Sequence, residues 1–208
     1  MQLRLSSGQT GDEYVTRALW CQATLACCPI HGAGARCGFA RHGTYQRRTP
    51  PGTRIARWYC PQGHRTFSLL PEHLAARLAG TLAELERVVE VVEASRSMEA
   101  AADTLRPDPI GLAGALRWVR RRVTAVHRVL AVAITLLPLV LTGCPPRLGA
   151  VRQRLGCATV LVDLRQRLGA HLQALIAPLG FRHRGGAARA PRAAHQHKVG
   201  PDPPGGQP

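Results

Sequence analysis

Apolar positions recur at helical spacing through the middle of this chain and in shorter, strand-like runs nearer its start. Leu82, Leu85, Val88, Val89 and Val92 fall on one face of a helix, with Glu86, Glu90 and Glu93 away from it. Thr81 followed three residues later by Glu84 is a capping box, in which each side chain satisfies an N–H at the helix start. A second, short helix starts at Ser97 and runs through Met98 and three alanines to Leu105. Pro107-Asp108-Pro109 then breaks the chain, and Asp108 with Pro109 supplies an N-cap and a first helical position. In the third and longest helix, Leu112, Leu116, Val119, Val123, Val126, Leu130, Ala133 and Leu137 alternate four and three apart and form one seam. Residues 147–155 and 160–176 predict two more helices, the latter with Leu161, Leu164, Leu168, Leu172 and Leu175 in a stripe opposite Arg165 and Arg167.

Before these helices, residues 41–48 and 54–59 look like strands joined by Thr49-Pro50-Pro51-Gly52-Thr53. Residues 12–20 suit either a short helix or a strand. The apolar run over residues 129–143 is shorter than the about 20 residues a bilayer span needs, and Pro138 interrupts it. A buried core or dimer helix is expected there. After Phe181 the composition collapses into Arg, Gly, Ala, Pro and His, too poor in apolar groups to offset ordering entropy.

Charge sharpens this picture. The net charge is +16, and 27 of the 28 basic residues are arginine. Residues 1–70 carry +7, residues 71–110 carry −4, residues 111–150 carry +6 with no acid at all, and the remainder carries +7. Such a field favours a polyanion. Seven cysteines and no apolar leader argue against a secreted disulfide framework and for a reducing cytoplasm.

The sharpest chemistry flanks the predicted hairpin: Cys28-Pro29-Ile30-His31-Gly32 on one side and Cys60-Pro61-Gln62-Gly63-His64 on the other. Two soft ligand pairs around a hairpin is the plan of a zinc ribbon, with Cys28, His31, Cys60 and His64 as ligands and zinc as the cofactor. Cys27 and Cys37 are spare thiols able to substitute. The competing reading is a ribbon without metal, its cysteines serving as small buried hydrophobes.

The run from Arg57 through Trp58-Tyr59-Cys60-Pro61-Gln62-Gly63-His64-Arg65-Thr66-Phe67-Ser68 to Pro71 resembles the second knuckle of bacterial zinc-ribbon proteins associated with insertion sequences. Gly63 stands where that pattern carries its second cysteine. The resemblance implies a ribbon followed by a helix-turn-helix, as at the start of many transposases. The expected fold is α+β and mostly α. Its parts are a lead-in over 1–24, a ribbon-like domain over 25–71, a helix-turn-helix-like domain over 72–143, C-terminal helices over 144–181 and a disordered basic tail over 182–208.

A basic helix with a buried seam suits duplex DNA. The expected contacts are Arg117, Arg120, Arg121, Arg122 and Arg128, joined by Arg47, Arg48 and Arg57 of the ribbon. No catalytic set is expected, because most acids sit on predicted exposed helix faces and no Gly-rich phosphate loop occurs. The function so implied is non-catalytic, nucleoid-associated DNA binding beside, or derived from, a transposase. The alternative is an interaction module that homodimerises through the Leu112–Leu137 seam.

Overall fold

The computed structural model describes residues 1–6, 8–105 and 111–182. It is α+β, with helix predominating. The order is β1 (Gln2–Leu5), α1 (Gly11–Thr16), β2 (Ala40–Gln46), β3 (Arg54–Cys60), β4 (Arg65–Pro71), α2 (Leu82–Ala94), α3 (Met98–Leu105), α4 (Leu112–Leu136), α5 (Pro138–Leu141), α6 (Leu148–Leu155) and α7 (Val160–Arg167), followed by a 3₁₀ turn over Gly169–His171. The basic tail beyond residue 182 and the proposed cap at Asp108-Pro109 lie outside the described residues.

The predicted hairpin forms β2 and β3, but the sheet is larger than a hairpin. Its order is β1-β4-β3-β2, antiparallel except that β1 pairs parallel with β4, Leu3 opposite Leu69. The start of the lead-in, β1, is therefore an edge strand of the ribbon sheet, and α1 makes part of residues 12–20 helix. Alternation sends the two faces to different neighbours. Ile55 and Leu70 join the helical core, while Ala56, Leu69, Phe67 and Cys60 pack on the other side with Trp58 and Leu25. One apolar core runs from Ile55 to Phe181, so residues 72–143 and 144–181 share it. On the outer strand β2 the register shifts between Arg41 and Thr44, where Gly43 takes φ 79°.

The Thr81–Glu84 capping box forms as predicted. So does α4, whose seam residues Val119, Val123, Val126, Leu130 and Ala133 are buried in the chain's own core. Of the remaining seam residues, Leu112 is exposed and Leu116 and Leu137 are half-buried, so the seam is covered in its middle and open at its start. Pro138 ends α4 and begins α5, since a proline lacks the N–H that would continue the ladder. Among the described residues no helix is long and apolar enough to cross a membrane.

Two charged residues expected on exposed faces are instead buried. Arg165 is fully buried, and its guanidinium donates to the carbonyls of Leu179 (3.1 Å), Glu72 (2.8 Å), Leu74 (2.5 Å) and Pro178 (2.6 Å). Burial lowers its pKa to about 9, opposed by the nearby Glu72 carboxylate, so it stays charged at neutral pH. Glu86 is 4% exposed and accepts the N–H groups of Val160 (3.1 Å) and Leu161 (2.6 Å), with Arg152 at 3.1 Å. Burial raises the pKa of its carboxyl against the pull of these donors. One turn-pair further along α2, Glu93 accepts Leu148 N–H (3.0 Å) and Gly149 N–H (3.3 Å). Neither α6 nor α7 has a side-chain cap of its own, so the carboxylates of α2 satisfy the orphan N–H groups at both helix starts. Two carboxylates of the acidic block, Glu86 and Glu93, thus act as caps for later helices, while Glu84, Glu99 and Asp103 are exposed.

The helix predicted over 160–176 stops at Arg167. Leu168, Leu172 and Leu175 are still buried, but through turns that bring Phe181 N–H back to the Leu172 carbonyl at 2.7 Å. Gly180 permits the closure: a Cβ there would lie 2.1 Å from the Leu175 carbonyl oxygen.

These contacts predict a sharp contrast. Glu86→Ala should cost about 2–4 kcal/mol in urea unfolding, because it leaves two buried N–H groups without an acceptor. Glu90→Ala, which removes only a more exposed partner of Arg152, should cost less than about 1 kcal/mol. Arg165→Lys tests the fork. An ammonium has fewer donors and no planar spread, and a loss of about 2–4 kcal/mol in the same assay is expected.

Candidate metal centre and arginine face

Each knuckle is made by a turn that the local sequence dictates. After Cys28, Gly32 at φ 78° turns the chain back and donates its N–H to the Cys28 carbonyl at 2.8 Å. After Cys60, at the end of β3, Gly63 donates its N–H to the Cys60 sulfur at 3.3 Å. His31 Nδ1 lies 3.4 Å from both Cys28 Sγ and Cys60 Sγ.

The fourth member is Cys37. Ligand atoms of Cys28, His31, Cys37 and Cys60 all lie within 4.8 Å of one another. The three cysteines are buried, at 3%, 3% and 0% exposure, and His31 is the most accessible of the four. His64 is corrected out of the ligand set: it is exposed, at φ 45°, as the last residue of the turn. Cys27 is also exposed and outside the group. Cys37 is brought in because Gly38, at φ 66°, seats directly on Pro61, where a Cβ would approach the ring to 2.9 Å. At position 63 a Cβ would displace the exposed tip of Ile30, 2.7 Å away, and come into contact with Cys60 Sγ at 3.4 Å.

This donor set fits a metal ion. Tetrahedral zinc with sulfur at about 2.3 Å sets its thiolates about 3.8 Å apart, and the group needs little contraction to reach that. Burial opposes ionisation of Cys28, but the N–H groups of Ile30 and His31, the His31 ring and Cys60 together lower its thiol to about 6. Burial raises the Cys60 thiol, and the neighbouring Cys28 and Cys37 add to that against the Gly63 N–H. Four protein donors leave no open coordination position, which is the arrangement of a structural site rather than a catalytic one.

The arginines expected to meet DNA separate into three groups. Arg117, Arg120, Arg121 and Arg128 are exposed on α4, in a strip about 16 Å long at 1.5 Å per residue. None forms an ion pair among the described residues. Arg122 is half-buried, its guanidinium carbon 3.9 Å from the centre of the Trp118 ring, and burial followed by the charge of Arg121 lowers its pKa. In the ribbon, Arg48 is exposed and Arg57 is half-buried on β3. Arg47 is corrected to a structural role, because it donates to the carbonyls of Ala75 (3.2 Å) and Leu78 (2.7 Å) and so pins the hairpin to the connection before α2.

Two further arginines, Arg77 and Arg182, share a concavity with Arg120, Arg121 and Arg128. No spacing in the sequence could have grouped them, since they lie tens of residues away on either side of α4. Comparison with protein-family models, curated proteins and solved structures finds no match to this chain.

The ligand correction is directly testable with cobalt(II), whose thiolate bonds absorb in the near ultraviolet. Wild type and His64→Ala should both show that band and titrate to equivalence with one ion. Cys37→Ala should lose most of the band or bind far more weakly. Retention of full-strength binding in Cys37→Ala, with loss in His64→Ala, would restore the ligand set read from spacing.

Proposed function

We propose that this protein is a non-catalytic, duplex-DNA-binding protein with a structural zinc ion held by Cys28, His31, Cys37 and Cys60. The observation that carries the DNA reading is the carboxylate-free strip of Arg117, Arg120, Arg121 and Arg128 on one rigid helix. Guanidiniums pair bidentately with phosphate oxygens, and a helix backed by a packed core holds them at fixed spacing. The net charge of +16 supplies the long-range attraction. Zinc, when bound, would join the two knuckles and the end of β3 into one unit, giving the ribbon a stability its small apolar cluster does not provide. An accessory role beside a transposase, or descent from one, rests on the Cys60 to Pro71 motif alone. Its test is whether the coding region adjoins an insertion sequence.

The binding test is a gel-shift titration of wild type and of the variant with Ala at positions 117, 120, 121 and 128, at two salt concentrations. Each arginine that meets a phosphate should remove about 0.9 from the slope of log affinity against log salt. An arginine that reads a base edge should instead cost about 1–3 kcal/mol on a preferred site only. Equal affinity and equal slope in the two proteins would end the assignment of α4 as the DNA-contacting helix.

A further inference from the structure

The arginine strip of α4 does not face open solvent along its whole length. Arg120, Arg121, Thr124, Ala125 and Arg128 form one wall of a concavity of ≈ 330 Å³. Arg77, from the connection between β4 and α2, and Ala177 with Arg182, from the last described turn, line the rest. Five arginines therefore line one small space, and no acidic residue lines it. Arg77 is held at φ 57° and donates to the Phe181 carbonyl at 3.0 Å, which joins two of the walls. None of the five forms an ion pair among the described residues.

Like charges gathered without a counter-charge repel, and an anion entering the space relieves that repulsion while meeting several donor forks at once. The shape limits which anion fits. A duplex is a convex surface carrying one charge per phosphodiester, suited to the open strip that includes Arg117. A concavity receives a compact group, and five guanidiniums match one bearing several charges. We propose that this concavity is a seat for a compact, multiply ionised phosphate: the phosphomonoester end of a nucleic-acid strand or a free oligophosphate. The seat goes beyond the duplex reading, sharing Arg120, Arg121 and Arg128 with it and adding Arg77, Arg182 and a different ligand shape.

The test uses the full chain and isothermal titration with inorganic tripolyphosphate at about physiological ionic strength, where diffuse surface charge is screened beyond about 8 Å. Saturable binding of one tripolyphosphate per chain is expected. The double variant Arg121→Gln/Arg128→Gln should weaken it at least about tenfold, and Arg182→Gln should weaken it from the opposite wall. Arg117→Gln, on the strip but outside the concavity, should leave it unchanged. All of these side chains are exposed, and circular dichroism melting checks that each variant folds. Tighter binding of a 5′-phosphorylated single strand than of its 5′-hydroxyl counterpart would assign the seat to strand ends, and equal binding would assign it to free oligophosphate. Absence of saturable binding, or equal weakening by Arg117→Gln and by the double variant, would overturn the seat. Gel shifts with blunt, unphosphorylated duplex run alongside keep the two proposals apart. Duplex binding without tripolyphosphate binding removes only the seat, and the converse removes only the duplex reading.

Discussion

The buried guanidinium of Arg165 is the contact on which the arrangement of the helical body depends. Taking a charge out of water is costly unless its donors are matched, and here four backbone carbonyls match them. Those carbonyls belong to two segments, residues 72–74 at the exit of the sheet and residues 178–179 at the end of the described chain. One side chain thereby fixes where the last turns sit relative to the sheet. Glu86 and Glu93 work in the opposite sense, as anions that receive the N-termini of α7 and α6. With these polar contacts and the middle of the apolar seam satisfied internally, the first half of α4 presents arginines outward.

The knuckles and the helices are mechanically linked through the sheet. Cys60 ends β3, the strand that also contributes Ile55 to the helical core, and its neighbour β4 contributes Phe67 to one side and Leu70 to the other. A metal that draws the four donors together would therefore pull on a strand already wedged against the helices. Arg47 adds a second link, from the hairpin to the carbonyls just ahead of α2. Local disorder in the ribbon would be felt at the base of the helical body rather than absorbed by a linker.

What could be read from the sequence divides along physical lines. The Thr81 capping box, the seam of α4, the stop at Pro138 and the β2–β3 hairpin depend on near neighbours, and near neighbours are what periodicity and turn chemistry report. Thr10 and Glu13 form a second capping box at α1 that the same rule would have found. Glu86 and Arg165 were misjudged because a charge at a polar position looks the same whether it faces water or a distant helix start. Burial there depends on partners 74 and 91 residues away. The fourth ligand failed similarly: spacing favoured His64, while the Gly38–Pro61 contact that delivers Cys37 exists only in three dimensions. The 160–176 stripe was right about which leucines are buried and wrong about the backbone carrying them, since turns can present the same side chains.

The irregularity in β2 bears on how the molecule behaves among its own copies. A straight, unpaired sheet edge is a template for another strand. The slip between Arg41 and Thr44 breaks the row of edge N–H and C=O groups, and exposed Arg41 and His42 place charge and bulk beside the break. At this edge a second copy meets an interrupted ladder, so of the sheet's two edges the β2 side is the one blunted against strand addition.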